Sequence, residues 1–290
     1  MPVRDLVDLV VLGALWGAAF LFMRVAAPAF GPVALIAVRV TIAAGLLLPL
    51  MARDRGLAAM RDAWRPLLVI GALNTAIPFT LFAYAALALP AGLSSVLNAS
   101  VPLFGALIGF LWLGDRPARA RLAGLGLGFS GVLVLAWPRL TSGGNWRAVA
   151  AAVAATVLYA VSAHLTRRLL AGVRPLVIAG GSMAGAAALT LPLALLWRPD
   201  VAPAPSAWGA AVMLGVASTA LAYVIYFRLL ARSGPTTAMA VTYLIPVFGV
   251  SWGSLFLDER LPATALAGAL LVLTGVALTT WVRRPAAPAP

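Results

Sequence analysis

Residues 101–134 reappear, displaced by 144 positions, as residues 245–278, and thirteen of the thirty-four aligned pairs are identical. Pro102 matches Pro246, Gly105 matches Gly249, Gly109 matches Gly253, Arg116 matches Arg260 and Gly124 matches Gly268. At a displacement of 143 the front of the chain joins the pattern, aligning Trp16 with Tyr159, Arg24 with Arg167 and Pro49 with Pro192. The chain is two similar halves, so its fold has to accommodate one unit twice.

That unit is apolar. Ten runs, near 6–26, 33–51, 67–88, 92–113, 119–137, 148–167, 176–196, 207–229, 236–257 and 263–282, suit a hydrocarbon layer about 30 Å thick, which takes roughly 20 helical residues to cross. With 63% hydrophobic and only 10% charged residues, the chain has too little polar surface for a water-soluble globule of this size. The run at 6–26 is too long for a signal-peptide core and aligns with the sixth run, so it reads as a retained helix. Five crossings per half force the second half to enter the membrane from the opposite side. The expected fold is an all-α integral membrane protein of ten transmembrane helices, built as two inverted five-helix repeats. Residues 1–140 form the first repeat, 141–284 the second, and the Pro/Ala segment 285–290 a disordered tail.

Charge sets the orientation. With the N-terminus in the cytoplasm, inner segments hold fourteen arginines (Arg4, Arg53, Arg55, Arg61, Arg65, Arg116, Arg119, Arg121, Arg167, Arg168, Arg174, Arg232, Arg283 and Arg284). Outer loops hold four: Arg139, Arg147, Arg198 and Arg260. The positive-inside rule then places both termini in the cytoplasm. The net charge of +13 belongs to short loops at helix ends, where it meets anionic headgroups, and it does not indicate nucleic acid. All 21 basic residues are arginine, so neither a Walker A lysine nor a pyridoxal Schiff base can be written. No cysteine means no thiol catalysis and no thiolate metal site. Neither a cofactor nor a metal is expected; the partners are the lipid bilayer and a small-molecule substrate, with no obligatory protein partner.

The polar and aromatic residues inside the runs outline a site. Most tryptophans fall at helix ends, as an aromatic belt requires. Trp16 sits near the middle of the first run and its repeat mate Tyr159 lies inside the sixth, which suggests two walls of a central cavity. Pro102 and Pro246 fall inside the fourth and ninth runs, each followed by Phe-Gly and a Gly-x-x-x-Gly (Gly105, Gly249). Proline frees a backbone carbonyl and small residues let helices approach closely, so kinked helices in matching positions point to gating elements beside a binding site. Asn74 and Thr75 match Ser218 and Thr219, and Asn98 matches Thr242; Phe79, Tyr84, Tyr223, Tyr226 and Tyr243 extend an aromatic lining.

All eight acids map to loops or helix ends, removing the intramembrane carboxylate that ion-coupled carriers commonly use. Movement down the substrate's own gradient, or exchange, is therefore expected. His164, the one histidine, lies near the cytoplasmic end of the sixth run and is the remaining group that titrates near neutrality. Arg39, about 9 Å inside the second run, is costly to bury and so is a functional candidate. Arg24 and Arg228 lie near helix ends, where snorkelling to the interface suffices.

Leu15-Trp16-Gly17, Arg39, the two Pro-Phe-Gly segments, Leu113-Gly114-Asp115-Arg116 and Leu257-Asp258-Glu259-Arg260 make almost the whole chain resemble the EamA branch of the drug/metabolite transporter superfamily. The resemblance implies a basket-like inverted-repeat fold in a bacterial inner membrane. It also implies export of small metabolites, with amino acids, aromatic ones among them, as substrates handled by alternating access. Trp16, Arg39, Asn74, Phe79, Tyr84, Asn98, Tyr159, His164, Tyr223 and Tyr243 are the substrate-site candidates, and Pro102, Gly105, Pro246 and Gly249 the gating ones. Three other readings stand beside this one: a lipid flippase or scramblase, an exporter of another small drug-like metabolite, and a rhomboid-like Ser182/His164 hydrolase. No catalytic role is assigned, and an enzyme is not expected.

Overall fold

A computed structural model describes residues 2–52, 56–114, 118–141, 145–197 and 199–281. Residues 1, 53–55, 115–117, 142–144, 198 and 282–290 lie outside the described residues, and so does the expected disordered segment 285–290. Among the described residues ten helices are long and apolar enough to cross a membrane, namely α1 (Val3–Phe30), α2 (Pro32–Ala52), α3 (Trp64–Ala85), α4 (Ala91–Trp112), α5 (Arg119–Arg139), α6 (Trp146–Leu169), α7 (Pro175–Leu196), α8 (Pro205–Gly234), α9 (Thr237–Leu257) and α10 (Ala263–Thr280). Helix is the required form for such segments, because in hydrocarbon each backbone N–H and C=O has to be paired within the segment itself. Leucines such as Leu111, Leu195 and Leu255 stand exposed on the outer surface, as residues that face acyl chains do.

Helix ends follow local chemistry. Proline starts α2 and α7, where its missing N–H costs nothing. The Asn145 side chain accepts from the Ala148 N–H at 3.2 Å and caps α6. α4 ends at Gly114 and α9 at the equivalent Asp258, both in the left-handed region at φ 70° and 53°. Asp is one of the few side chains that tolerates that conformation.

The contact between α5 and α10 shows how the halves are related. A Cβ on Gly124 would lie 2.9 Å from the Gly275 carbonyl, and one on Gly131 would lie 2.7 Å from the Gly268 carbonyl. Gly124 and Gly268 are repeat mates, as are Gly131 and Gly275, so each glycine meets the other one's mate. Residue number rises along α5 while it falls along the facing stretch of α10. The last helices of the two halves therefore run antiparallel, and the repeats are inverted. A side chain on Gly275 would come within 2.5 Å of Gly128 Cα, so the seam has no room for one.

The same relation holds deeper in the structure. Both α3 and α8 contain a π-helical turn, Ala72–Ala76 and Val216–Leu221, at equivalent places. In front of these turns, Gly71 packs against the Ser182 carbonyl of α7, and Gly215 packs against the Arg39 carbonyl of α2. Arg39 and Ser182 are thus structural mates as well as sequence mates.

Matching kinks at Pro102 and Pro246 do not appear. α4 breaks at Ala99–Ser100, leaving Pro102 in the first turn of the following helix, whereas Pro246 sits inside a continuous helix Val241–Leu257. A proline in a first turn removes no helical hydrogen bond. One five residues in does, so the two act differently on the backbone.

Candidate functional site

Two aromatic clusters occupy the middle of the fold, and each is assembled from both halves. In one, Trp16 of α1 meets Tyr223 and Tyr226 of α8, with ring centroids 6.2 and 5.4 Å apart. In the other, Tyr159 of α6 meets Phe79 and Phe82 of α3, at 6.4 and 6.1 Å. Trp16 is the mate of Tyr159, Phe79 of Tyr223, and Phe82 of Tyr226. The clusters are equivalent under the pseudo-two-fold, but one is Trp/Tyr/Tyr and the other Tyr/Phe/Phe. Phe20 packs edge-on against Phe82 at 5.5 Å, and Phe227 stacks on Tyr223 at 5.7 Å. Trp16, Asn74, Tyr159, Tyr223 and Tyr226 are only half-buried, so the clusters retain free surface.

Arg39 joins the two clusters. Its guanidinium carbon lies 3.6 Å above the Phe79 ring centroid, a cation–π contact. Its Nε donates to Thr219 Oγ1 at 2.9 Å, and its charge faces the Tyr159 and Tyr223 hydroxyls. Thr219 in turn donates to the Leu214 carbonyl at 2.7 Å, which leaves its oxygen free to accept from Arg39. Asn74, in the α3 π-turn, interacts with the Tyr223 hydroxyl. Thr75 and Ser218, in the same π-turns, are buried with no hydrogen-bond partner for their hydroxyls among the described residues.

Trp16, Arg39, Asn74, Phe79, Tyr159 and Tyr223 therefore come together. The other sequence candidates lie elsewhere. Tyr84 is exposed, Tyr243 bonds Thr280 of α10 at 2.7 Å, and Asn98 is half-buried just before the α4 break. His164 accepts from Arg167 at 2.8 Å through Nδ1; arginine can only donate, so Nε2 carries the proton and donates to the Gly105 carbonyl at 3.1 Å. Ser182 donates to the Ala179 carbonyl at 3.0 Å, so Ser182 and His164 do not bond each other. Thr219, named with its repeat mate Thr75 among the polar residues of the spans, joins the site, and so do Phe82 and Phe227, which were not singled out. Subtracting the 144-residue offset from Tyr226 would have reached Phe82; Phe227, whose mate is Ala83, and Phe20 carry no such signal.

The described hollows are at the ends of the molecule. One of about 450 Å³ lies between Pro28–Gly31 on one side and Trp197 and Pro199–Ala204 on the other, the second between Val3, Arg4, Val7 and Asp8 and the pair Arg228/Arg232, and neither includes Trp16, Arg39 or Tyr159. At the N-terminal face, Asp8 pairs with Arg228 at 2.7 Å and also with Arg232, while Asp5 pairs with Arg232 at 3.0 Å and bonds Ser233. At the opposite face, Arg24 donates to the Ala86 carbonyl at 2.7 Å and lies 3.6 Å from Glu259, which accepts from the Ala91 N–H at 2.8 Å. Arg24 and Arg228 have protein partners rather than snorkelling freely, because acids stand within reach at both ends.

The packing of α4 on α9 is one-sided. A Cβ on Gly249 would overlap the Ser95 side chain, which is fully buried. At the equivalent place toward the N-terminal face, a Cβ on Gly105 would meet nothing within 4 Å, and Met239, the mate of Ser95, is 51% exposed. This conformation is closed between α4 and α9 at the far face and unsealed at the N-terminal face.

An inverted ten-helix repeat with an aromatic centre defines a membrane carrier fold. The family model of the EamA-like transporters matches the chain twice, over residues 7–137 and 146–281, and the chain belongs to that family. It is a multi-pass membrane transporter of the EamA type. A probable terminal-alkyne amino-acid exporter of Streptantibioticus cattleyicolor is 30% identical over 275 residues, covering 93% of this chain and 91% of that one. A probable amino-acid metabolite efflux pump of Escherichia coli is 25% identical over 302 residues, covering 95% and 94%. The pseudopaline exporter CntI of Pseudomonas aeruginosa is 30% identical over 229 residues, covering 79% of each. One crystallographically solved chain superposes with a TM-score of 0.68 at 23% identity, covering 97% of this chain and 98% of that one, which supports the fold.

Proposed function

We propose that the protein exports small amphipathic metabolites, amino acids including aromatic ones, across a bacterial inner membrane by alternating access. The observation that carries this reading is the pair of symmetry-related aromatic clusters, each built from both halves, with Arg39 between them. A site shared by two inverted units is exposed alternately when the units rock against each other. Residues 1–140 and 141–284 are the two moving units, and the Pro102/Gly105 and Pro246/Gly249 segments are the surfaces that meet and part. The amino-acid exporter and efflux-pump names of the relatives support the same substrate class.

Counterflow of labelled amino acids into proteoliposomes tests the reading. Flux is expected with no sodium present and with protonophore added, because among the described residues the acids that fall within a span, Asp5 and Asp8, stand in the first two turns of α1 and none lies at mid-depth, and His164→Ala should retain downhill flux. Uphill accumulation of a neutral substrate driven by a proton gradient, and lost in His164→Ala alone, would make His164 a coupling group instead. Lipid exchange without solute flux would favour a flippase.

Both termini are assigned to the cytoplasm on the arginine asymmetry. In this cysteine-free chain, a single cysteine at Ala202 should react with an impermeant reagent from outside and one at Ala171 only after the membrane is opened. Labelling of both from one side would reverse the assignment.

A further inference from the structure

Arg39 is 5% exposed inside a membrane span, and its charge has no acid partner among the described residues. The ion pairs among the described residues, Asp5 and Asp8 with Arg228 and Arg232, and Glu259 with Arg24, all lie at the two ends. Among the described residues one of its five N–H groups reaches an oxygen, Thr219 Oγ1; Nη1 has only the Met23 sulfur at 4.0 Å, and Nη2 has no hydrogen-bond partner. A guanidinium normally engages several acceptors, and burying it without them is costly.

The fold does not demand this cation. At the equivalent position in the other half stands Ser182, whose carbonyl receives Gly71 just as the Arg39 carbonyl receives Gly215. A small neutral residue thus serves the same helix packing, and the guanidinium is extra to it. Around Arg39 the polar groups are neutral: Thr219, Asn74, and the Tyr159 and Tyr223 hydroxyls. The centre therefore offers a positive charge and neutral hydrogen-bonding groups, with aromatic faces on both sides. Among the described residues it offers no negative charge to an ammonium.

We infer that Arg39 is the receptor for a substrate carboxylate, and that the protein selects small carboxylates with an aromatic or apolar body whether or not they carry an amino group. The inference rests on the transporter reading of this site and narrows it: recognition runs through the acid end. A carboxylate completes the guanidinium's hydrogen bonds in a fork geometry and cancels its charge.

The test uses the full-length protein in detergent and titration calorimetry with phenylalanine, 3-phenyllactate, phenylalaninamide and phenethylamine. Phenylalanine and 3-phenyllactate should bind with dissociation constants within about tenfold of each other, and the amide and amine at least about tenfold more weakly, the loss expected for one charge-assisted contact. Arg39→Gln should remove the preference for acids and Arg39→Lys should keep part of it, with the unfolding temperature reporting that each variant is folded. The four wild-type titrations decide the matter even if a variant does not fold. Equal binding of phenethylamine and phenylalanine, failure of 3-phenyllactate to bind, or no binding of either acid would overturn the proposal. Flux is read separately. Acid-selective binding without flux would leave the carboxylate site standing and remove the export function.

Discussion

Gly105→Leu is expected to leave the protein folded and nearly stop transport. In the present conformation nothing lies within 4 Å of a Cβ on Gly105, so a leucine is accommodated. In an inverted repeat the opposite state is reached when the two halves exchange packing arrangements. The Ser95–Gly249 contact is then replaced by one between Met239 and Gly105, and leucine would fill the space that contact needs. Overpacking costs about 1–3 kcal/mol, which lowers the swapped state's population roughly 5- to 150-fold. Gly249→Leu should behave in the opposite way, because its side chain already collides with Ser95 in this conformation. Transport rate alone does not separate the two. Accessibility of a single cysteine at Met239 does: protected less than in the parent for Gly105→Leu, more for Gly249→Leu. Equal turnover of Gly105→Leu and the parent would show that α4 and α9 do not seal at that position.

The double substitution Trp16→Ala/Tyr159→Ala is expected to weaken half-saturation for aromatic substrates by roughly 30-fold, since each ring contributes on the order of 1 kcal/mol of contact. The two rings lie in different clusters, so their losses should add. Each single variant should show the smaller part, and alanine, with no ring to stack, should be affected less than phenylalanine. Unchanged half-saturation in a well-folded double variant would remove both rings from the binding site and leave them as core packing.

How far these features are readable without coordinates depends on the kind of information each needs. The ten spans, their division into five and five, and the inversion follow from hydropathy and the repeat. Trp16 and Tyr159 could be paired as mates, but mates under a two-fold do not have to touch. Each instead packs against helix three of the other half, and an alignment of a chain with itself carries no information on such cross-half contact. Arg39 stood out by its cost in a span, while its position over Phe79 did not, because that depends on how α2 and α3 are rotated. The proline expectation failed in a comparable way. Pro102 and Pro246 align in sequence, yet α4 is interrupted at Ala99–Ser100, directly before its proline's turn, and α9 at Ala240, six residues before Pro246, which gives the two prolines different work to do. The π-turns were invisible, since an apolar run reads the same whether its hydrogen bonds span four residues or five.

Those turns also record an order of events. A π-turn is an α-helix with one residue too many, the trace of an insertion that the helix absorbed by widening instead of breaking. Here the widened turn occurs in α3 and in α8 at positions 144 residues apart, beside the same polar pair, Asn74-Thr75 in one half and Ser218-Thr219 in the other. An insertion shared at one place by both copies was made once, before the ancestral unit doubled. Arg39 and Ser182 differ between the same two copies, so that divergence came after the doubling. The bend in the wall is the older inheritance and the asymmetry of charge beside it the later one: a scaffold common to both halves came first, and the halves then diverged at the site they share.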